Sequence, residues 1–228
     1  MYDLIIVGSG PAGLTASIYA SCYHMKHLVI GGVLGGQMQL APDILNFPGF
    51  NNISGKELTM KMAEQVKTRG GEIVVDSVVK INHIAAGPAA PAEVGLTFLR
   101  TSRPDLIGTQ GGGSAQKASL PADSSSSITN KNLSLDKVFI EIGGVPGTAL
   151  VIPLGVKMDQ GGYIEVNERL ATNVHGIFAA GDLVSYGLSI EQISSAVGLG
   201  ARAAASAFTF IKQEKAPTVW GGSQIKRS

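Results

Sequence analysis

The stretch Asp3-Leu4-Ile5-Ile6-Val7-Gly8-Ser9-Gly10-Pro11-Ala12-Gly13-Leu14 decides how the rest of the sequence is read. Its first five residues form a short apolar run, its middle is a glycine turn, and from Leu14 to Tyr23 the Ala, Leu and Ile residues fall at helical spacing. His27 to Ile30 reads as a second buried strand, which completes a βαβ unit of parallel strands joined by a right-handed crossover. A G-x-G-x-x-G spacing set between strand and helix is the dinucleotide fingerprint. Gly8 makes the tight turn, Gly10 lets the backbone approach a pyrophosphate, and Gly13 lets helix and strand pack closely. The pyrophosphate then sits on the helix N-terminus, where free N–H groups and the dipole favour an anion. The fingerprint normally continues with a ribose-binding carboxylate about 20 residues on. Gly31 and Gly32 stand there instead, which argues against a plain nicotinamide dehydrogenase.

Beyond this unit, residues 31–48 hold few periodic positions and read as a long loop. A helix is expected over about Ser54 to Thr68: Ser54 and Glu57 have capping-box spacing, Leu58, Met62 and Val66 repeat every four residues, and Gly70-Gly71 end it. Strands are expected at 73–75, 78–83, 96–101 and 106–109, the middle ones as an antiparallel excursion. Residues 110–136 are Gly-, Ser- and Asn-rich and nearly free of large apolar groups, the composition of a flexible linker. Strands resume at 138–142, 163–166 and 176–180, a long helix runs over about 190–212, and the tail 213–228 reads as irregular.

Composition narrows the function classes. The 228 residues carry 18 Lys and Arg against 17 Asp and Glu, so no basic field exists to hold nucleic acid or an anionic membrane surface. A single cysteine, Cys22, excludes an intrachain disulfide, a C-x-x-C redox pair and a thiolate zinc cluster. No apolar stretch approaches the ~18 residues needed to span a bilayer, and no basic region precedes Leu4 to Val7, so the expectation is a cytoplasmic protein without membrane contact.

Four motifs in order, Gly8 to Gly13, Gly35-Gly36-Gln37, Asn46-Phe47-Pro48-Gly49 and Gly176-Ile177-Phe178-Ala179-Ala180-Gly181-Asp182, resemble those of the FAD domain of the thioredoxin reductase family, within the flavoproteins that carry two dinucleotide-binding domains. The resemblance covers about residues 1–123 and 133–212. It implies an α/β, Rossmann-like FAD-binding domain with a parallel central sheet, an antiparallel β excursion and helices on the faces. It further implies that Gly10, Pro11 and Ala12 hold the FAD pyrophosphate, that Gln37 and Asn46 lie along the ribityl and isoalloxazine, and that the backbone near Val78 meets the adenine. Asp182, after Gly181, would accept hydrogen bonds from ribityl hydroxyls. Gln192 and Ile193 would present backbone N–H groups to the pyrimidine edge of the flavin, and a homodimer through the FAD domains is expected.

The departures from that family matter equally. Its members carry a complete NADPH-binding domain, with the redox-active C-x-x-C, between the two halves of the FAD domain. Here residues 114–123 resemble the crossing into that domain and 132–139 the return, with little more than Ser124-Ser125-Ser126-Ser127-Ile128-Thr129-Asn130 between. The expected organisation is therefore one FAD domain over 1–212 built from segments 1–123 and 133–212, a linker region at 110–136 in place of the NADPH domain, and a tail at 213–228. Such a protein either passes electrons from an external protein or small-molecule donor through the flavin to an acceptor, or holds FAD without turnover as a minimal or engineered scaffold.

Lesser features have plainer readings. Cys22 reads as an ordinary small residue, and His24, His27, His83 and His175 lack metal-ligand spacing, although His175 stands just before the second flavin motif. Glu191 occupies a place where the family more often has a basic or polar residue; it either favours the helix dipole or makes the flavin harder to reduce. Trp220 is either a tail residue or an aromatic stacked on the flavin.

Overall fold

The computed structural model describes residues 2–84, 93–100, 129–135, 138–140, 147–187, 190–220 and 223–224. Strand β1 (Leu4–Val7) is buried along its whole length and is followed by helix α1 (Pro11–Cys22) and strand β2 (His27–Gly31). β2 lies parallel to β1, with Leu4 opposite His27. A 3-10 turn at Gly36–Leu40 and helix α2 (Gly55–Thr68) lead to β3 (Glu72–Val75), parallel to β2. Ser54 caps α2, its hydroxyl accepting the Glu57 N–H at 3.2 Å. The chain then forms β4 (Ser77–Ile84), β5 (Glu93–Arg100) and β6 (Thr129–Leu135), an antiparallel sheet in that order.

β7 (Val138–Ile140) returns to the far side of β1; after it come β8 (Ile164–Glu165), β9 (Ile177–Ala179), β10 (Val184–Ser185) and the long helix α3 (Ile193–Lys212). The five-stranded parallel sheet has the order β3-β2-β1-β7-β9. Strand order therefore reverses at β1, and the C-terminal end of β1, where Gly8 follows, is the point at which open α/β sheets bind ligands. This is the α/β, Rossmann-like architecture with an antiparallel excursion that the βαβ pattern and the motifs predict.

Two cores hold these pieces. The larger joins the parallel strands to the buried alanines of α1 and α3 and, through Ile81 of β4 and Val151, to the antiparallel sheet. The smaller gathers Leu14 of α1, Met38, Ile44 and Ile53 of the loop, and Leu58, Met62 and Val66 of α2, with Ile193 and Val197 of α3 packed against it. It makes the 34–53 loop an ordered wall, and Ile44 and Ile53 bridge across it with two backbone hydrogen bonds of 2.9 and 3.2 Å.

The structure departs from the sequence expectations in three places. Residues 129–135, inside the stretch read as a flexible linker, form β6 and pair with β5 from Arg100 opposite Thr129 to Val94 opposite Leu135. An edge strand takes its order from one backbone ladder and tolerates polar side chains, so composition conceals it. The tail is not wholly irregular: β11 (Val219–Trp220) and β12 (Ser223–Gln224) form an antiparallel hairpin. Helix α3 starts at Ile193 rather than near 190, because Gln192 is extended (φ −134°) and serves as its cap. The strand expected at 106–109 and linker residues 110–128 lie outside the described residues, and the position beside β1 is taken by Val138–Ile140.

Helix α3 crosses α1 with almost no side chain between them. A Cβ on Gly200 would run into the Ala12 carbonyl oxygen, whereas one on Gly198, a half-turn away, would meet open space. Gly200→Ala is expected to lower stability by about 2 kcal/mol, a melting-temperature drop on the order of 5 °C, because two backbones must separate. Gly198→Ala is expected to be neutral or stabilising by up to ~1 kcal/mol. Thermal denaturation of the two variants side by side checks the contact.

His27 is buried with both ring nitrogens paired, Nδ1 to the Met25 carbonyl at 2.9 Å and Nε2 to the Ser17 hydroxyl at 2.7 Å. The carbonyl can only accept, so Nδ1 carries the proton, Ser17 donates to Nε2, and the ring is neutral. Burial pushes its pKa below the ordinary 6.5. Below that value the unfolded chain binds a proton that the native ring resists, so stability falls as pH drops. Urea melts at pH 7.5 and 5.5 are expected to show this loss, and His27→Gln to shrink the difference between the two.

Candidate functional site

Gly8 leaves β1 with φ +113°, a backbone shape that requires glycine, and its N–H donates to the Ile30 carbonyl at 2.7 Å. The next residue, Ser9, is buried and acts as a clip. Its hydroxyl donates to the Val33 carbonyl at 2.9 Å, and its own carbonyl accepts the Gly35 N–H at 2.8 Å. Gly36 is thereby set against Gly10, so close that a Cβ on Gly36 would lie 3.5 Å from the Gly10 Cα. The two glycine motifs form one continuous backbone surface at the start of α1. That helix has no capping side chain and no acidic residue in its first turn, formed by Pro11, Ala12 and Gly13. A helix end of this kind favours an anion.

The same clip accounts for the absent ribose carboxylate. A Cβ on Gly31 would overlap the Ser9 hydroxyl and come within 2.7 Å of the Ser9 nitrogen, and one on Gly32 would come within 2.9 Å of Ser77 Oγ. No acidic side chain fits at Gly31 without moving the glycine loop, while at Gly32 the obstacle is the Ser77 hydroxyl on β4. Val78, expected near an adenine, lies on β4 beside this end of β2, where the Asp76 N–H donates to the Gly31 carbonyl at 3.1 Å.

Gly181 and Asp182 follow the C-terminal end of β9, two sheet positions from β1 and hence about 10 Å across the same edge. Residues from the loop and from α3 meet directly: Asn46 Nδ2 donates to Gln192 Oε1 at 2.7 Å, across 146 residues of sequence, and Ser194 Oγ donates to the Asn46 carbonyl at 3.5 Å. Gln192 is the α3 cap, makes no side-chain bond to the helix, and precedes a first turn, beginning with Ile193, without an acidic residue. Gln37 lies exposed in the 3-10 turn next to Gly36. Sequence positions expected to share a site are thus joined as two groups, the paired glycine loops and the Asn46–Gln192 contact, with Asp182 on the same sheet edge.

Asp182 is half-buried, and burial first, then the charge of Glu191, raises its pKa above the ordinary carboxylate value. Among the described residues no donor is paired with its carboxylate. Glu191 in turn accepts the Tyr163 hydroxyl at 3.2 Å and keeps that phenol protonated to higher pH. Asp159 Oδ1 accepts the N–H groups of Gly161 at 2.8 Å and Tyr163 at 2.9 Å, and the Tyr163 N–H does most to hold its pKa low. Tyr163 and Asp159 are members of this neighbourhood that sequence reasoning missed. The available signal was Asp159-Gln160-Gly161-Gly162, an Asx-turn pattern just before β8.

Other candidates lie elsewhere. His175 precedes β9 at the end opposite Asp182, its ring 4.6 Å from that of Phe210. Phe210 is 17 residues into α3, about 25 Å along the helix from Gln192. Cys22 ends α1, some 18 Å from the glycine loop, with its sulfur 3.7 Å from Arg69 Nη1. Neither reaches the candidate site.

A helix N-terminus without a capping side chain, flanked by glycine loops, fits a pyrophosphate, and a half-buried carboxylate with no donor paired to it among the described residues fits a polyol. FAD contains both groups, so the residues present fit it. The family profile "Pyridine nucleotide-disulphide oxidoreductase" matches residues 2–88 and 109–200. The chain is 30% identical to the thioredoxin reductase of Bacillus subtilis, across 93% of this chain and 96% of the relative. That alignment runs over 305 positions, more than this chain's 228 residues, so the relative carries residues without a counterpart here. The chain is also 29% identical to the "34.2 kDa protein in rubredoxin operon" of Clostridium pasteurianum, across 92% of this chain and 97% of that protein. Among solved structures, the thioredoxin reductases of Gloeobacter violaceus (TM-score 0.68, 17% identity, 96% and 98% coverage) and Lactococcus lactis (0.66, 22%, 94% and 100%) share the fold. The chain belongs to the pyridine nucleotide-disulphide oxidoreductase family as a thioredoxin reductase-like, FAD-binding flavoprotein.

Proposed function

We propose that this chain is a one-domain flavoprotein that accepts electrons from an external donor, a protein or a small molecule, and passes them through FAD to an acceptor without dithiol chemistry. The observation that carries the reading is the pairing of a glycine-lined helix N-terminus with a half-buried Asp182, to which no donor is paired among the described residues, on the same sheet edge. In this reading Gly8, Gly10, Pro11, Ala12, Gly13, Gly35 and Gly36 hold the pyrophosphate by backbone alone. Asp182, beside Gly181, accepts ribityl hydroxyls. Gln37, Asn46, Gln192 and Ile193 orient the flavin, the Asn46–Gln192 bond tying the loop to α3, and the backbone near Val78 meets the adenine. Bound FAD supplies the hydride and electron chemistry; the chain supplies binding, orientation and electrostatics.

The single Cys22, remote from the site, supports the exclusion of the thioredoxin-reducing route of the family. One FAD domain over 1–212 with no NADPH domain between its halves is consistent with a relative whose alignment is longer than this chain. A homodimer working in the cytoplasm completes the proposal; no helix among the described residues is long and apolar enough to cross a membrane.

Purified protein is expected to carry a flavin absorbance band, and anaerobic NADH, NADPH or reduced protein donors to bleach it faster than free FAD. Bleaching no faster than free FAD with every donor would leave a protein that holds FAD without turnover. Asp182→Ala is expected to weaken FAD binding about 10- to 100-fold, since a hydrogen bond to a charged group is worth roughly 1.5–3 kcal/mol. Equal affinity in a fluorescence titration would remove Asp182 from the site. Light scattering is expected to return the mass of two chains, and a monomer mass would refute the dimer.

A further inference from the structure

The residue before the α3 cap is Glu191, and among the described residues the ionisable groups that interact with it or with its partner Tyr163 are carboxylates. Its carboxylate accepts the Tyr163 hydroxyl, and its charge reaches Asp182. Asp159, in the turn before β8, and Asp182 add their own charges on Tyr163. The titratable groups acting on one another here are therefore Asp159, Tyr163, Asp182 and Glu191, three carboxylates and a phenol. Among the described residues no lysine or arginine forms an ion pair with any of them.

Two electrostatic effects compete at this entry to α3. The uncapped helix N-terminus attracts an anion, whereas the carboxylates repel one. Asp182 is relieved of part of its charge when ligand hydroxyls donate to it. Glu191 has the Tyr163 phenol as its partner, and that bond leaves its full negative charge in place. A ligand of constant charge gives this residue nothing to discriminate. FAD is different: two electrons and one proton convert the neutral oxidised isoalloxazine to an anion, and a second proton is needed to neutralise it.

We propose that Glu191 sets the redox-state preference of the site, favouring oxidised FAD over its anionic reduced form. The inference rests on FAD occupying the site bounded by Gly8–Gly13, Asp182 and Gln192. It makes Glu191 a positioning charge rather than a catalytic residue. Its presence lowers the midpoint potential of the bound flavin and favours uptake of the second proton.

The test compares the wild type with Glu191→Gln, which removes the charge and keeps an acceptor for Tyr163, and with Glu191→Lys, which reverses it. Two quantities are measured on the FAD-loaded full chain. One is the dissociation constant for oxidised FAD. The other is the midpoint potential against an indicator dye from pH 6 to 9, with dithionite as electron source and sulfite as its oxidation product. Glu191→Gln is expected to leave affinity for oxidised FAD within about twofold while favouring the reduced form by roughly fivefold, and Glu191→Lys to shift the same ratio further. The pH at which the reduced flavin loses its second proton should fall in the same order, and the shifts should shrink at high salt. Tyr163→Phe, which keeps the charge, should not raise the potential. Potentials and proton-loss pH unchanged in both Glu191 variants, with FAD bound throughout, overturn the inference and leave the cofactor reading intact. Failure of the wild type to bind FAD overturns the cofactor reading and this inference with it.

Discussion

The first turn of α1 is approached to contact distance by backbone from two directions, Gly200 of α3 on one side and Gly36 of the loop on the other. A methyl group on Gly200 would collide with the Ala12 backbone, whereas one on Gly36 would sit at ordinary contact distance from Gly10 but on a backbone held at φ +55°. The reason lies in the seam between the helices, where Ala12, Ala16 and Ala20 of α1 face a band of Ala196, Ala203, Ala204 and Ala207 on α3, all buried. Small residues let two helices pack closely, and that closeness fixes where their N-termini stand relative to the sheet edge. The positions of Gly10, Asn46 and Gln192 all follow from it.

With both helix ends fixed, the polarity of the site follows from what is left out. Neither α1 nor α3 has a side chain hydrogen-bonding back to its first turn, and neither carries an acid there. Ordinary surface helices gain about 1 kcal/mol from such a cap. Its absence at two ends on one ligand-binding edge is a stability cost that a bound, electron-rich ligand can offset. The carboxylates of Asp182 and Glu191 stand just outside, so the field changes sign over a short distance.

What could be read from the sequence was local. The β1–α1–β2 unit was legible because three glycines at fixed offsets and two kinds of periodicity fall within 30 residues. Helix α2 was legible because Ser54, Glu57 and Gly70 mark its ends. The Asn46–Gln192 bond and the Tyr163–Glu191 bond link residues 146 and 28 positions apart, and no periodic pattern records such pairings. The resemblance of motifs placed Asn46 and Gln192 on one cofactor, but it gave no account of Tyr163. Strand β6 was obscured for a different reason: Thr129-Asn130-Lys131-Asn132 has the composition of a loop, and the ladder to β5 overrides it. Gly31 stood where a carboxylate was expected, and the position of the Ser9 side chain supplies the steric reason.

Strands β5 and β6 carry a consequence for the history of such chains. Arg100 and Thr129 are register partners, about one interstrand spacing or 5 Å apart. Lengthening the connection between two such points costs only closure entropy, on the order of 0.6 kcal/mol for each doubling. This edge is thus a port in the fold, open to the gain or loss of a whole module by recombination while the strands on either side keep their partners. A sensor or electron-carrier domain with neighbouring termini, grafted between residues 100 and 129, would inherit a flavoprotein already able to fold around it.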